Sequence, residues 1–295
     1  MTDQQGPGVL DTDDVGRFTI ARTTLLDSRY TMAYAAAISD GNPAYFDDLR
    51  DGGLAIHPAI VFSLQWAARF RPDQVLNLRA APFGVHASTD LHIYRPFRPG
   101  EAITTQGQVV QKRQLRPGVY NVERYRMTAS DGELVAELDY NGITRGATLS
   151  GPDKVVDAER AQPEFGAVGG EPLWQRRFHV PLHAAQQYTE CAQIYNPIHT
   201  EPSVAKAAGL PDIILHGSAT KAMSLTAVID QCFDGDASRV TRLCGQLRGM
   251  VLMNTDVVVQ GLAEAVVDGE KRVLFQALNS DGQPAVANGI VCGRA

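Results

Sequence analysis

Two stretches of the 295-residue chain pair proton-moving side chains with turns that fix them. In the second half, Tyr188-Thr-Glu-Cys-Ala-Gln-Ile-Tyr-Asn-Pro-Ile-His-Thr-Glu-Pro202 carries His199 just after an Asn196-Pro197 turn. Imidazole titrates near neutral pH, so His199 is the acid/base candidate. Ile214-Leu-His-Gly-Ser218 follows, and Gly217 opens an expected helix. The first N–H groups of a helix lack internal acceptors and can hold negative charge developing on an oxygen. Glycine there leaves room for close approach. In the first half, Asp40-Gly-Asn-Pro-Ala-Tyr45 and Leu54-Ala-Ile-His57 repeat the pattern, with Asp40 as a carboxylate candidate and Tyr45 at the histidine position. Tyr45, Tyr195, Asn196, His216 and Ser218 are candidates for substrate contact. Structural roles compete with several of these: Asp40 can cap a turn, Asn196 can orient its loop, Ser218 can cap a helix, and His57 and His216 read as structural histidines.

Other chemistries are excluded by pattern. Ser63, Ser88 and Ser224 lie in no GxSxG context, and no glycine-rich phosphate loop occurs. Cys191, Cys232, Cys244 and Cys292 form no CxxC pair, and the histidines have no ligand spacing, so neither a metal nor any other cofactor is expected. With 27 Lys plus Arg against 33 Asp plus Glu, the net charge is −6 and no basic stripe compensates, which argues against nucleic acid. Arg242, Arg248 and Lys206 are either phosphate contacts or charges on a solvated face. No run of about 18 apolar residues predicts a membrane span, and no signal peptide is evident, so a cytoplasmic location is expected.

The elements that position these residues come twice. Pro43 and Pro197 stand 154 residues apart, His57 and His216 159, and the Ser-Asp-Gly turns at Ser130 and Ser280 150. Helical spacing predicts helices over Ser28–Ser39 and Gln186–Ile194, each ending at its Asn-Pro turn, then Ile60–Phe70 and Ser218–Cys232. Strands are expected over Ser88–Tyr94, Ala102–Lys112, Val119–Ala129 and Leu134–Thr144, and over Thr241–Leu252, Asp256–Val267, Val273–Asn279 and Ala285–Cys292. A helix before a run of antiparallel strands, twice, is an α+β plan. The expected organisation is a flexible tail over 1–16, a first domain over 17–146, a Pro/Gly-rich linker over 147–175 and a second domain over 176–295.

The second-half motif resembles the hydratase signature of the MaoC-like, (R)-specific enoyl-CoA hydratase family, and Ile214-Leu-His-Gly-Ser218 resembles the helix start that follows it. The first half, with Tyr94-Arg-Pro-Phe-Arg-Pro-Gly-Glu101, resembles the family's N-terminal half. The resemblance implies a tandem (double) hot-dog: two helices, each wrapped by an antiparallel sheet. It also implies hydration or dehydration of an acyl thioester, carried by CoA or a carrier protein, with a homodimer as one assembly open to it. His199 would transfer the proton and the Gly217 amide would polarise the thioester carbonyl. The family's aspartate falls at Ile194, which cannot accept a proton. Three readings stay open. Asp40 acts with His199 across the halves. Alternatively, His199 works with Tyr195, Glu190, Glu201 or water in an altered reaction such as isomerisation, cyclisation or thioester hydrolysis. In the third, the chain is a non-catalytic acyl-binding or assembly subunit.

Overall fold

A computed structural model describes residues 8–69, 84–165 and 168–295. In chain order the elements are β1 (Val9–Leu10), β2 (Arg22–Leu25), α1 (Ser28–Ala37), α2 (Val61–Ala68), β3 (Gly84–Ile93), β4 (Ala102–Leu115), β5 (Gly118–Ala129), β6 (Leu134–Arg145), β7 (Thr148–Leu149) and β8 (Lys154–Val155). The second half follows with β9 (Trp174–Val180), α3 (Ala184–Ala192), α4 (Pro202–Ala207), α5 (Gly217–Cys232), β10 (Val240–Leu247), β11 (Thr255–Val267), β12 (Glu270–Leu278) and β13 (Pro284–Arg294). Short 3₁₀ turns at Pro43–Tyr45, Pro58–Ile60 and Pro197–His199 link them. The last residue expected in the second helix, Phe70, lies outside the described residues.

The two halves share one sheet in the order β2-β4-β5-β6-β3-β10-β13-β12-β11-β9, with β8 added alongside β4. The seam is the antiparallel pair β3–β10, where Leu91 faces Leu243 and Asp90 faces Cys244. Arg242 clamps the seam with two bonds to Asp90, at 2.9 and 2.7 Å. That corrects both expectations for Arg242: it is neither a phosphate contact nor a free surface charge.

The sheet curls around α2 and α5. α5 is 16 residues long, about 24 Å at 1.5 Å per residue, buried from Ala219 to Ile229 and made mostly of apolar or small residues there, with the Lys221 ammonium donating to the Gly245 carbonyl at 3.0 Å. Val228, Ile229 and Leu225 sit in one continuous core with Phe275, Val273, Leu91 and Met127, so both halves bury the same interior. α1 and α3 pack against each other across the pseudo-two-fold. α1 is started by Asp27, which accepts from the Tyr30 amide at 2.8 Å. Ser39 (φ 57°) and Gln193 (φ 55°) both follow their helix in left-handed geometry, 154 residues apart. The backbone thus keeps the duplication even where the side chains have diverged. Neither residue is glycine, so each pays about 1 kcal/mol to turn the chain into the Asn-Pro loop.

Two organisational expectations need correction. The tail expected to be flexible is fastened from Val9 onward: β1 pairs in parallel with β7, Val15 is buried, and the Gly16 amide donates to Val109 at 2.8 Å. The expected linker is laid over the first-half sheet rather than left free. β8 pairs with β4, Glu159 accepts from Tyr120 at 2.6 Å, Asp157 pairs with Arg124, and the Ala161 carbonyl accepts from Arg242 at 2.7 Å. Backbone pairing and ion pairs to the sheet outweigh the polar, Pro/Gly-rich composition that suggests a linker.

Candidate active site

The second-half loop leaves α3 at Gln193 and closes on the Pro197–His199 turn, where the Asn196 side chain accepts from the Ile198 amide at 3.4 Å. His199 is buried, and its Nδ1 lies 2.8 Å from the Ile214 carbonyl. A carbonyl can only accept, so Nδ1 carries the proton and Nε2 keeps its lone pair. Burial pushes His199 down to about 4, against a weaker opposing effect of the Ile214 bond. The ring stacks on His216, centroid to centroid 3.7 Å. His216 Nε2 lies 3.3 Å from both the Ile194 carbonyl and the Thr189 hydroxyl, so it carries that ring's proton. Its Nδ1 is buried without a hydrogen-bond partner among the described residues. Burial and then the neighbouring His199 hold His216 well below the ordinary histidine range. The pair is therefore two neutral imidazoles with opposite tautomers.

Ile194, at the position of the family's acid, is buried in the core and offers only its backbone carbonyl. Tyr195, Glu190 and Glu201 are exposed, and none of their side chains is hydrogen-bonded to His199 among the described residues, so of the partners expected for it in an altered reaction only water is left. Ser218 caps nothing; it accepts from the Tyr188 hydroxyl at 3.2 Å. Gly217 opens α5 as expected. A Cβ there would fall 2.4 Å from Leu247 Cδ1, so the space beside the glycine is already taken by a leucine.

The first-half loop carries a different set. Asp40 Oδ1 accepts from the Asn42 amide at 2.8 Å, the turn cap that competed with its catalytic reading. Its Oδ2 accepts from the Thr226 hydroxyl at 2.7 Å, and His57 Nε2 stands 3.2 Å from that hydroxyl. His57 Nδ1 accepts from the Ala59 amide at 3.2 Å, so the ring is neutral with Nε2 as donor. The proton-donating order is thus His57 to Thr226 to Asp40. Burial pushes His57 down to about 3 and raises Asp40, the latter opposed by the bonds from Asn42 and Thr226. Tyr45 is buried against His57, ring centroids 5.4 Å apart. Beside it opens a cleft of about 550 Å³, walled by Tyr45, Leu54, Ile56, Phe97 and the Asp234–Ser238 segment of the second half.

The structure therefore does not join Asp40 to His199. Each is held in its own cluster, with no ion pair between them. The cause is the pseudo-two-fold, which puts each Asn-Pro loop against its own helix start. Sequence reasoning missed Thr226 and the nearness of His57 to Asp40. The available signal was a run of hydroxyl residues, Thr220, Ser224 and Thr226, within a largely apolar stretch, each of which needs a polar partner once buried. Among the described residues no cluster of histidine, cysteine and carboxylates could hold a metal.

Two helices, each wrapped by half of one continuous antiparallel sheet, define a double hot-dog protein. The MaoC-like dehydratase of Phytophthora capsici has this fold, with TM-score 0.82 and 20% identity over 96% of this chain and 99% of that one. Residues 165–281 match the MaoC-like domain, a span that includes both His199 and Gly217. Over those residues the chain matches the MaoC-like domain, and its fold as a whole is the double hot-dog. It is similar to the peroxisomal enoyl-CoA hydratase 2 of Arabidopsis thaliana, 28% identical over 217 residues, 70% of this chain and 67% of that enzyme. It is also similar to the fatty acid synthase β subunit of Aspergillus oryzae, 34% identical over 107 residues, 36% of this chain but only 5% of that subunit. No helix among the described residues is long and apolar enough to cross a membrane.

Proposed function

We propose that the protein catalyses the reversible addition of water to an enoyl thioester, borne by CoA or a carrier protein, with His199 as its proton-transfer group. The observation that carries this reading is the fixed tautomer of His199: Nδ1–H is spent on the Ile214 carbonyl, so Nε2 is an available base. Similarity to a plant enoyl-CoA hydratase 2 supports the substrate class. With Ile194 in place of an acid, one group must serve both proton steps. His199 Nε2 takes a proton from water as its oxygen attacks the β-carbon. The electron pair of the double bond moves onto the thioester as an enolate, held by the Gly217 amide at the start of α5. The imidazolium then returns its proton to the α-carbon. Dehydration is the reverse. Since one base on one face makes both transfers, addition is syn.

A second reading is favoured by the buried Ile194 and by Leu247 against Gly217: an acyl-binding subunit without turnover. Incubation with enoyl- and 3-hydroxyacyl-thioesters of graded chain length separates the two. Under the first reading His199→Ala lowers turnover by about 10²–10⁴. Saturable binding of every thioester with no interconversion establishes the second.

A further inference from the structure

The 550 Å³ cleft belongs to the first-half loop, not to His199. Tyr45 forms part of its wall, 2% exposed, and its Oη is buried with no hydrogen-bond partner among the described residues. Buried hydroxyls in native proteins are almost always satisfied, so an orphan on a residue that lines a cleft points to a group that arrives with a ligand. Tyr45 also stands 154 residues before His199, at the same place in the duplicated loop. The opposite wall comes from the second half and is anchored by Asn42 Nδ2 donating to the Gly235 carbonyl at 2.8 Å. The sides are apolar: Leu54, Ile56 and Phe97. Arg98 is at the cleft and forms no ion pair among the described residues.

We propose that this cleft is a second acyl-binding site, in which the Tyr45 hydroxyl donates to the neutral carbonyl of an acyl thioester while the chain lies against Leu54, Ile56 and Phe97. A neutral carbonyl fits better than a free carboxylate. Asp40 already places a buried negative charge next to this loop, and a second carboxylate would be desolvated beside it. The site binds whether or not His199 turns substrate over, so loss of turnover and loss of this binding are separate results.

The test is photo-crosslinking of the full chain with diazirine-bearing octanoyl-CoA and octanoyl-pantetheine, with octanoate as competitor. Peptides spanning 42–58 and 93–99 should carry the label. Tyr45→Phe removes only an unpartnered hydroxyl, so the fold is kept, and affinity at this site should fall about tenfold. Ala55→Trp should fill the cleft and abolish the label. Labelling by either thioester supports the proposal, and preference for the CoA form adds contacts to its phosphates at Arg98. Label confined to residues 194–218, an unchanged affinity in Tyr45→Phe, or octanoate competing as well as the thioesters would overturn it.

Discussion

Lowering the pH from 7 to 5 separates the His199 reading from one based on a solvent-like histidine. With its pKa near 4, His199 stays about 90% in its base form at pH 5, whereas a histidine at 6.5 would retain about 3%. Hydration measured by loss of enoyl absorbance should therefore give a kcat/KM flat from pH 8 to 5, with an acid limb near 4. The same shift has a cost in stability. A folded pKa below the unfolded one means that the unfolded chain binds more protons, so stability present above pH 6.5 is lost as the pH falls toward the folded value. From pH 7 to 5 this is about 2 kcal/mol for His199 and as much again for His57, together about 4 kcal/mol. Asp40, raised by burial, opposes this only in the carboxylate range. Urea midpoints at pH 7, 6 and 5 read the loss directly, and rates are taken where the protein remains folded. An acid limb near 6.5 in folded protein would refute the placement of His199 as a buried neutral base. Stability unchanged between pH 7 and 5 would refute the burial argument for both rings.

Four further outcomes follow from the geometry. Asp40→Asn leaves one acceptor oxygen for the two donors that Asp40 now serves, the Asn42 amide and the Thr226 hydroxyl, so stability should fall by about 1–3 kcal/mol while turnover by His199 stays within about twofold; a large fall in kcat would restore the dyad across the halves. Thr226→Val strips Asp40 of its hydroxyl donor and His57 of its acceptor, and should lower unfolding free energy in urea by about 2–4 kcal/mol. Ile194→Asp buries a carboxylate in the core, and should destabilise the fold by at least about 3 kcal/mol at pH 7, read by urea melts. Hydration in D₂O should place deuterium at the α-carbon and the hydroxyl on the same face, read by NMR of the product; anti addition would require a second acid.

The sequence determined the duplicated plan. Local signals suffice for it: alternating strands, Asp-Gly and Pro-Gly turns, and the Asn-Pro turn that follows both α1 and α3. Nearly every expected strand is found within a few residues, and His199, Gly217 and Ile194 could be placed on their motifs. Tertiary structure decided the rest, because proximity across the chain is not written in any local pattern. Thr226 reaches Asp40 over 186 residues, since α5 of one half passes the loop of the other. Composition predicts a flexible tail and a linker, yet β1–β7 pairing and Glu159 on Tyr120 are contacts that only the folded sheet provides. Which loop owns the cleft was likewise beyond the sequence. The two loops are nearly the same in pattern, and their difference lies in what packs around them: His216 stacks on His199, while Tyr45 and the Asp234–Ser238 segment both line a cleft, with the Tyr45 hydroxyl buried in its wall.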